Sequence, residues 1–426
     1  MNVALRAAYA TAGTLAEWAA ALAPRSGGKA MASLAGRRGV LARFAAWGAA
    51  HRDPSRPLVW FHAPSVGEGL QAKPIIELMR RHRPDVQVVY THYSPSAASF
   101  AAKVGADFAD FLPFDTTHAA RAALDAIRPT ALVFSKLDVW PVLAVEAARR
   151  RVHLGMIAAT LAEGSGRRGA VARALLRDAY AALDAVGAID PGDATRLVEL
   201  GVTASRVRVT GDSRYDQVWA RAAAADRASP LLAPLVNDRP TLVAGSTWPA
   251  DEAPLMTAWR DVRKQSPTAR IIIAPHEPTP AHLAPLEAWA ARTGLRAARL
   301  DAPEAAQADL VLVDRVGVLG DLYALADVAF VGGGFHEAGL HSVLEPAAFG
   351  APVIFGPRFA NSRDAGLLIA AAGGTSVANA TEFSASLCRW LLDADARRDA
   401  GQQARDLVRA GLGAAQRSFE MVMALL

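Results

Sequence analysis

From residue 58 onward, short β-branched apolar runs alternate with Ala-rich amphipathic stretches, and this is the feature that most restricts the fold. Runs stand at 58–62, 86–91, 131–134, 153–157, 185–188 and 206–210; a second set follows Pro240, at 241–245, 270–274, 310–313, 328–331 and 352–355. Short runs of this kind alternating with amphipathic stretches predict a parallel sheet covered by helices. The restart after Pro240 predicts two doubly wound α/β halves, joined by an Ala-, Ser- and Pro-rich helix and linker at 219–240. A ligand is expected in a central crevice at the carboxyl ends of the strands. Residues 396–426 predict one long helix that packs back across both halves.

A chain of 426 residues, 52% hydrophobic, is large enough for two cores and excludes disorder as its main state. The formal charge of +5 raises nucleic acid as a partner, but its distribution argues against one. Residues 1–56 carry eight Lys/Arg against Glu17 and Asp53, and the rest of the chain is close to neutral. The lone cysteine, Cys388, offers neither a disulfide framework nor a metal cluster and fits a reduced compartment. Residues 7–24 are apolar but interrupted by Glu17, short of a clean span. They predict an interfacial helix with a stripe of Leu5, Tyr9, Leu15, Trp18 and Leu22, followed by basic residues that suit an anionic leaflet. A secretory signal and a helix packed on the body are the competing readings.

Several stretches carry chemistry. In "HAPSVGEG" (62–69) a strand ends, glycines turn the chain into a helix, and Glu68 stands at the rim. It is either a first-turn carboxylate that complements the helix dipole or a general base for an acceptor hydroxyl. In the second half, "VGGGFHEAGLHSVLEPAAFGAPVIFGPRFANSRDA" (331–365) joins a triple-glycine turn to an apolar helical stretch, with Ser342 as a candidate N-cap and Glu345 placed to accept from a ribose. "GSTWPADE" (245–252) and "IAPHEPTP" (273–280) put Ser246, Thr247, Pro275 and His276 directly after strands, where a ligand would be touched.

In order, "HAPSVGEG", "DVWP" (138–141), "GDSRYD" (211–216), "GSTWP", "IAPHEP", "GVLGDLYALADVAFVGGG" (317–334) and "EPAAFGAPVIFGP" (345–357) resemble the 3-deoxy-D-manno-octulosonic acid (Kdo) transferases of lipopolysaccharide biosynthesis. The resemblance covers the chain to about residue 405. It implies a GT-B fold, two Rossmann-like doubly wound domains facing a central crevice, with an N-terminal membrane-associated helix. It also implies an inverting, metal-independent glycosyltransferase without a cofactor, taking CMP-Kdo as donor and a lipid A precursor as acceptor, at the cytoplasmic face of the inner membrane. The implied division is 1–35 anchor helix and basic linker, 36–225 acceptor domain, 226–405 CMP-Kdo domain and 406–426 C-terminal helix.

By position, the resemblance makes Glu68 the catalytic base and puts Lys136 and Arg214 where the transition state is stabilised. Ser65, Gly67 and Ser94 fall on the acceptor side. Pro275 and His276 match a CMP-binding Pro-Arg. Val316, Gly317 and Val318 match a segment lining the CMP site. Ser342, Val343, Leu344 and Glu345 match an Asn-x-x-Glu that closes on the nucleotide, with Gly333, Gly334 and His341 beside it. The chain departs from many members at Lys136-Leu137-Asp138, where they have Glu-Thr-Glu, and at Pro275-His276-Glu277, where they have Pro-Arg-His; another branch shares its residues. Lipid A disaccharide synthases and sugar-nucleotide 2-epimerases share the implied fold, and a non-catalytic nucleotide-sugar-binding relative is the reading from another class.

Overall fold

Fourteen strands form two all-parallel sheets of seven in the computed structural model, which describes residues 3–22 and 28–426. Arg25 and the side chains of Arg6, Leu22 and Lys29, parts of the N-terminal reading, lie outside what is described. The chain divides into two compact units: Met1–Asp216 with Leu412–Leu426, and Gln217–Gly411.

The first unit holds β1 (Leu58–His62), β2 (Gln87–His92), β3 (Phe108–Phe111), β4 (Ala131–Ser135), β5 (His153–Ala159), β6 (Ala185–Ala188) and β7 (Val207–Val209). Their order is β3-β2-β1-β4-β5-β6-β7. The strand order reverses at β1 and β4, which pair with His62 opposite Phe134, the point at which doubly wound sheets bind their ligands as a class. Residues of β1, β2 and β4 are buried throughout.

The second unit holds β8 (Thr241–Thr247), β9 (Arg270–Pro275), β10 (Ala297–Arg299), β11 (Leu310–Leu312), β12 (Val328–Val331), β13 (Val353–Phe355) and β14 (Gly374–Ser376). The order is β10-β11-β9-β8-β12-β13-β14, and its switch point lies between β8 and β12, where Gly245 faces Val331.

The expected single C-terminal helix is corrected to two, Ala394–Ala410 and Ala414–Met423, interrupted at Gly413 with φ 88°. The first belongs to the second unit. The other returns to the first, where Phe419, Met421, Val422 and Leu425 join a core with Ile75, Ile76 and Met79. Asp216 caps this returning helix by accepting from the N–H groups of Gly413 (2.7 Å) and Ala415 (2.8 Å).

The N-terminal helix Val3–Leu22 is anchored on the first unit: Tyr9 donates to Asp115 (2.8 Å), and Arg38 donates to the Ala20 carbonyl (3.0 Å). Leu15 and Trp18 remain 60% and 70% exposed, so one flank is packed and another is bare. No helix among the described residues is long and apolar enough to cross a membrane.

Candidate active site

In the first unit, Glu68 lies in the first turn of helix Val66–His82, directly after β1. Gly69 lets that helix come close to the strands, since a Cβ there would collide with Phe100 and the Tyr90 hydroxyl. At Gly67 a Cβ would meet only Ser65 Oγ, at 3.7 Å, so packing alone does not call for glycine. Ser65 occupies the N-cap position, yet its hydroxyl donates to Glu68 Oε2 rather than capping the backbone. Lys136 Nζ stands 3.4 Å from Glu68 Oε1, with the Glu68 side chain 17% exposed. Lys136 has φ 65°, the left-handed region that costs a side-chain-bearing residue roughly 1–2 kcal/mol. Its N–H donates to the Ile157 carbonyl (2.8 Å), and the neighbouring Ser135 hydroxyl donates to the Glu68 carbonyl (3.0 Å).

Arg214 opens helix Arg214–Ala224 and donates twice to Asp212 Oδ2, at 2.9 and 2.6 Å. The turn carrying it is joined to the helix of Glu68: Ser213 donates to the Gln71 carbonyl (2.6 Å), and Gln71 donates to Asp212 Oδ1 (3.3 Å). Ser94 reaches the same region by backbone, its N–H on the Pro64 carbonyl (2.8 Å), while its hydroxyl pairs with Ser96 (2.8 Å).

The second unit assembles its loops at the ends of β8, β9, β12 and β13. Ser246 has φ 54°, a second strained residue at a switch point. The triple-glycine turn is a backbone-against-backbone contact. A Cβ at Gly332 would fall 2.3 Å from the Ser246 carbonyl oxygen, one at Gly334 2.5 Å from Gly356 N, and Gly333 has φ 93°.

Asp251, fully buried in the first turn of helix Pro249–Gln265, fixes this arrangement by accepting from the N–H groups of Trp248 (2.9 Å), Gly333 (2.7 Å) and Phe335 (2.9 Å). Asn361 holds the next turn with its amide, accepting from Leu340 N (3.0 Å) and donating to Leu340 O (2.9 Å).

On this frame four rings stack. Trp248 lies between His336 (centroids 4.3 Å, 4° between planes) and His276 (4.7 Å, 26°), and His276 lies against His341 (4.6 Å, 27°). Burial, with the nearby His276 and His336, pushes His341 down to about 4, so its ring is neutral at physiological pH. Trp248 Nε1 donates to His341 Nε2 at 3.3 Å.

Glu345 lies in the short helix Leu344–Ala348; burial raises its carboxyl, Arg221 opposes that, and Asp321 adds to it. One expectation is corrected. The N-cap position of this helix is Val343, so Ser342 stays exposed and does not cap; the helix simply starts later than the apolar pattern suggested. Val343 and Leu344 are buried, so their side chains pack in the core. Thr247 is also buried, its hydroxyl donating to Glu252 (2.8 Å). Pro275 closes β9, and Val316, Gly317 and Val318 stand on a separate loop after β11, with Val316 76% exposed.

Asp251, Asn361, His336 and Trp248 were not singled out from the sequence. Asp251 was accessible through its N3 spacing from Trp248; Asn361 and His336 reach the site only through tertiary packing. Among the described residues, no three His, Cys, Asp or Glu side chains are grouped to hold a metal ion.

Two parallel doubly wound units, each with loops gathered at its switch point, define the GT-B class of glycosyltransferases and nucleotide-sugar enzymes. Solved structures agree on the fold. A UDP-GlcNAc 2-epimerase from Neisseria meningitidis matches with a TM-score of 0.62 at 14% identity, over 87% of this chain and 100% of that one. A glycosyltransferase from Rickettsia africae matches at 0.55 and 11%, over 87% and 98%. A family model described as 3-deoxy-D-manno-octulosonic-acid transferase matches residues 37–217. The 3-deoxy-D-manno-octulosonic acid transferase of Bordetella pertussis is 31% identical over 89% of this chain and 90% of its own length. That of Chlamydophila psittaci is 29% identical over 72% and 71%. The chain belongs to the Kdo transferase family: it is a glycosyltransferase of lipopolysaccharide biosynthesis.

Proposed function

We propose that the first unit takes a lipid A precursor, the second takes CMP-Kdo, and Glu68 is the general base. The acceptor hydroxyl oxygen attacks the anomeric carbon of Kdo, its proton passes to Glu68, and the bond from that carbon to the phosphate oxygen breaks to release CMP with inversion. The observation that carries this reading is Glu68 at the first switch point, partly exposed and held by Ser65 and Lys136. A base must keep a fixed rotamer to meet its proton, and these two contacts provide one. Lys136 and Arg214 supply positive charge for the developing anion and the donor carboxylate. In the second unit, His276 and His341 within the ring stack, Glu345, and the loop Val316–Val318 belong to the CMP site, with Ser246 and the glycine turn at its floor.

The exposed Leu15 and Trp18 of the N-terminal helix support peripheral docking at the inner membrane's cytoplasmic face, where the acceptor lies in the leaflet. Transfer of Kdo from freshly generated CMP-Kdo to a tetraacylated lipid A precursor tests the reading in detergent micelles. Product from the parent and none from a folded, CMP-binding Glu68→Ala variant is expected; equal product from both would remove Glu68 from the mechanism.

A further inference from the structure

Lys136 adopts a strained backbone angle in a turn whose geometry is fixed by a side chain outside the reacting pair. Two residues on, Asp138 receives donors from three parts of the first unit. His62 at the end of β1 lies with Nε2 3.1 Å from Oδ2; Trp140 Nε1 donates to the same oxygen (3.0 Å); Arg167, on the loop after β5, donates to Oδ1 (3.3 Å).

His62 is fully buried, and its Nδ1 lies 3.0 Å from the Thr91 hydroxyl. Nδ1 also lies 3.2 Å from the Thr91 carbonyl and Nε2 lies 3.1 Å from Trp140 Nε1, so polar partners hold the ring on both edges. Trp140 is braced in turn by Tyr93, stacked at 5.7 Å and 20°, over which Arg37 lies at 3.8 Å. Burial raises the Asp138 carboxyl, but the hydrogen bonds from His62 and Trp140 and the charges of His62 and Arg167 outweigh it, and the net shift is downward. Tyr9, Arg37 and Tyr180 also lie within reach of its charge.

A left-handed residue other than glycine persists only where its surroundings over-determine it. Here the backbone of Lys136 is held by β5, and the turn beyond it by Asp138, which is tied to the end of β1 through His62 and to the loop after β5 through Arg167. We propose that His62 and Asp138 form a positioning pair that locks the turn after β4 and thereby holds the Lys136 ammonium on Glu68. Neither residue touches substrate; both act through Lys136. The inference rests on the reading of Glu68 and Lys136 as reacting groups, and single variants of those two test that reading separately.

The test is a cycle of Asp138→Asn, Lys136→Met and the double variant in the full-length protein, with kcat, both KM values and Tm measured in the transfer assay. Asp138→Asn is expected to lower kcat about 10- to 100-fold while each KM changes less than about threefold, as displacement of one group by an ångström does. In the Lys136→Met background, Asp138→Asn is expected to cost nothing further, because its effect runs through a group already absent. Trp140→Phe removes one donor and keeps the stacking, so it replaces Asp138→Asn if that variant fails to fold; its loss must likewise vanish without Lys136.

Losses that multiply in the double variant, or an Asp138→Asn enzyme within about twofold of the parent, would overturn the proposal while leaving Glu68 and Lys136 in place. Full activity in Lys136→Met and in Glu68→Gln would instead overturn the underlying reading, and the positioning pair with it.

Discussion

The ammonium of Lys136 stands 3.4 Å from Glu68 Oε1 on a residue whose own backbone has φ 65°. Glycine adopts that conformation freely, so Lys136→Gly relieves the strain and removes the charge at once. The variant is expected to be at least as stable as the parent, by up to about 1 kcal/mol in urea unfolding, and to lose transfer activity by about 100-fold. A variant both less stable and fully active would contradict it.

Asp251 accepts three backbone N–H groups with no exposed surface. Asp251→Ala leaves those donors without a partner, at a cost of about 2–4 kcal/mol, and releases the glycine turn from the loop after β8. Calorimetry should show a lower Tm together with at least tenfold weaker CMP binding, because the turn and the ring stack share this support.

His341 titrates at about 4 in the folded chain against an ordinary 6.5. Between those values the unfolded chain binds the proton and the folded chain does not, so stability rises with pH across the window and is lost as pH falls from 6.5 toward 4. Replacement by Gln should flatten that part of a Tm–pH profile. A profile unchanged by the replacement would show that another group sets the slope.

Leu15 and Trp18 point away from the contacts that dock their helix, Tyr9 with Asp115 and Arg38 with Ala20. Changing both to Asp should leave Tm within about 2 °C of the parent and reduce sedimentation with anionic phosphatidylglycerol vesicles several-fold. Undiminished sedimentation would place membrane attachment elsewhere.

The legible part of the fold was its buried part. Strands such as β1, β4 and β9 each carry an unbroken apolar run of at least four residues and mark themselves, as do the glycine and proline stretches at their ends. The strands that escaped sequence reading, β3, β10 and β14, all lie at sheet edges, span three or four residues and are largely half-buried or exposed, so no apolar run betrays them. At the site, Glu68, His276 and Glu345 stood within motifs, but the stacking of His336, Trp248, His276 and His341 joins loops after three different strands and has no local signature. The break at Gly413 was hidden in an otherwise continuous helical pattern, because one αL glycine looks the same in sequence as a tolerated one.

The cap that Asp216 places on Gly413 spans 197 residues of chain. Synthesis runs in one direction, so a ribosome delivers the whole of Gln217–Gly411 before it delivers the segment that covers Ile75, Ile76 and Met79. The order of completion is therefore the reverse of the order of beginning: the second unit is finished first, and the unit bearing Glu68 keeps an open apolar face until the final turns emerge. Protease digestion of chains arrested before and after residue 411 would register the difference, a resistant second unit beside a still-cleavable first.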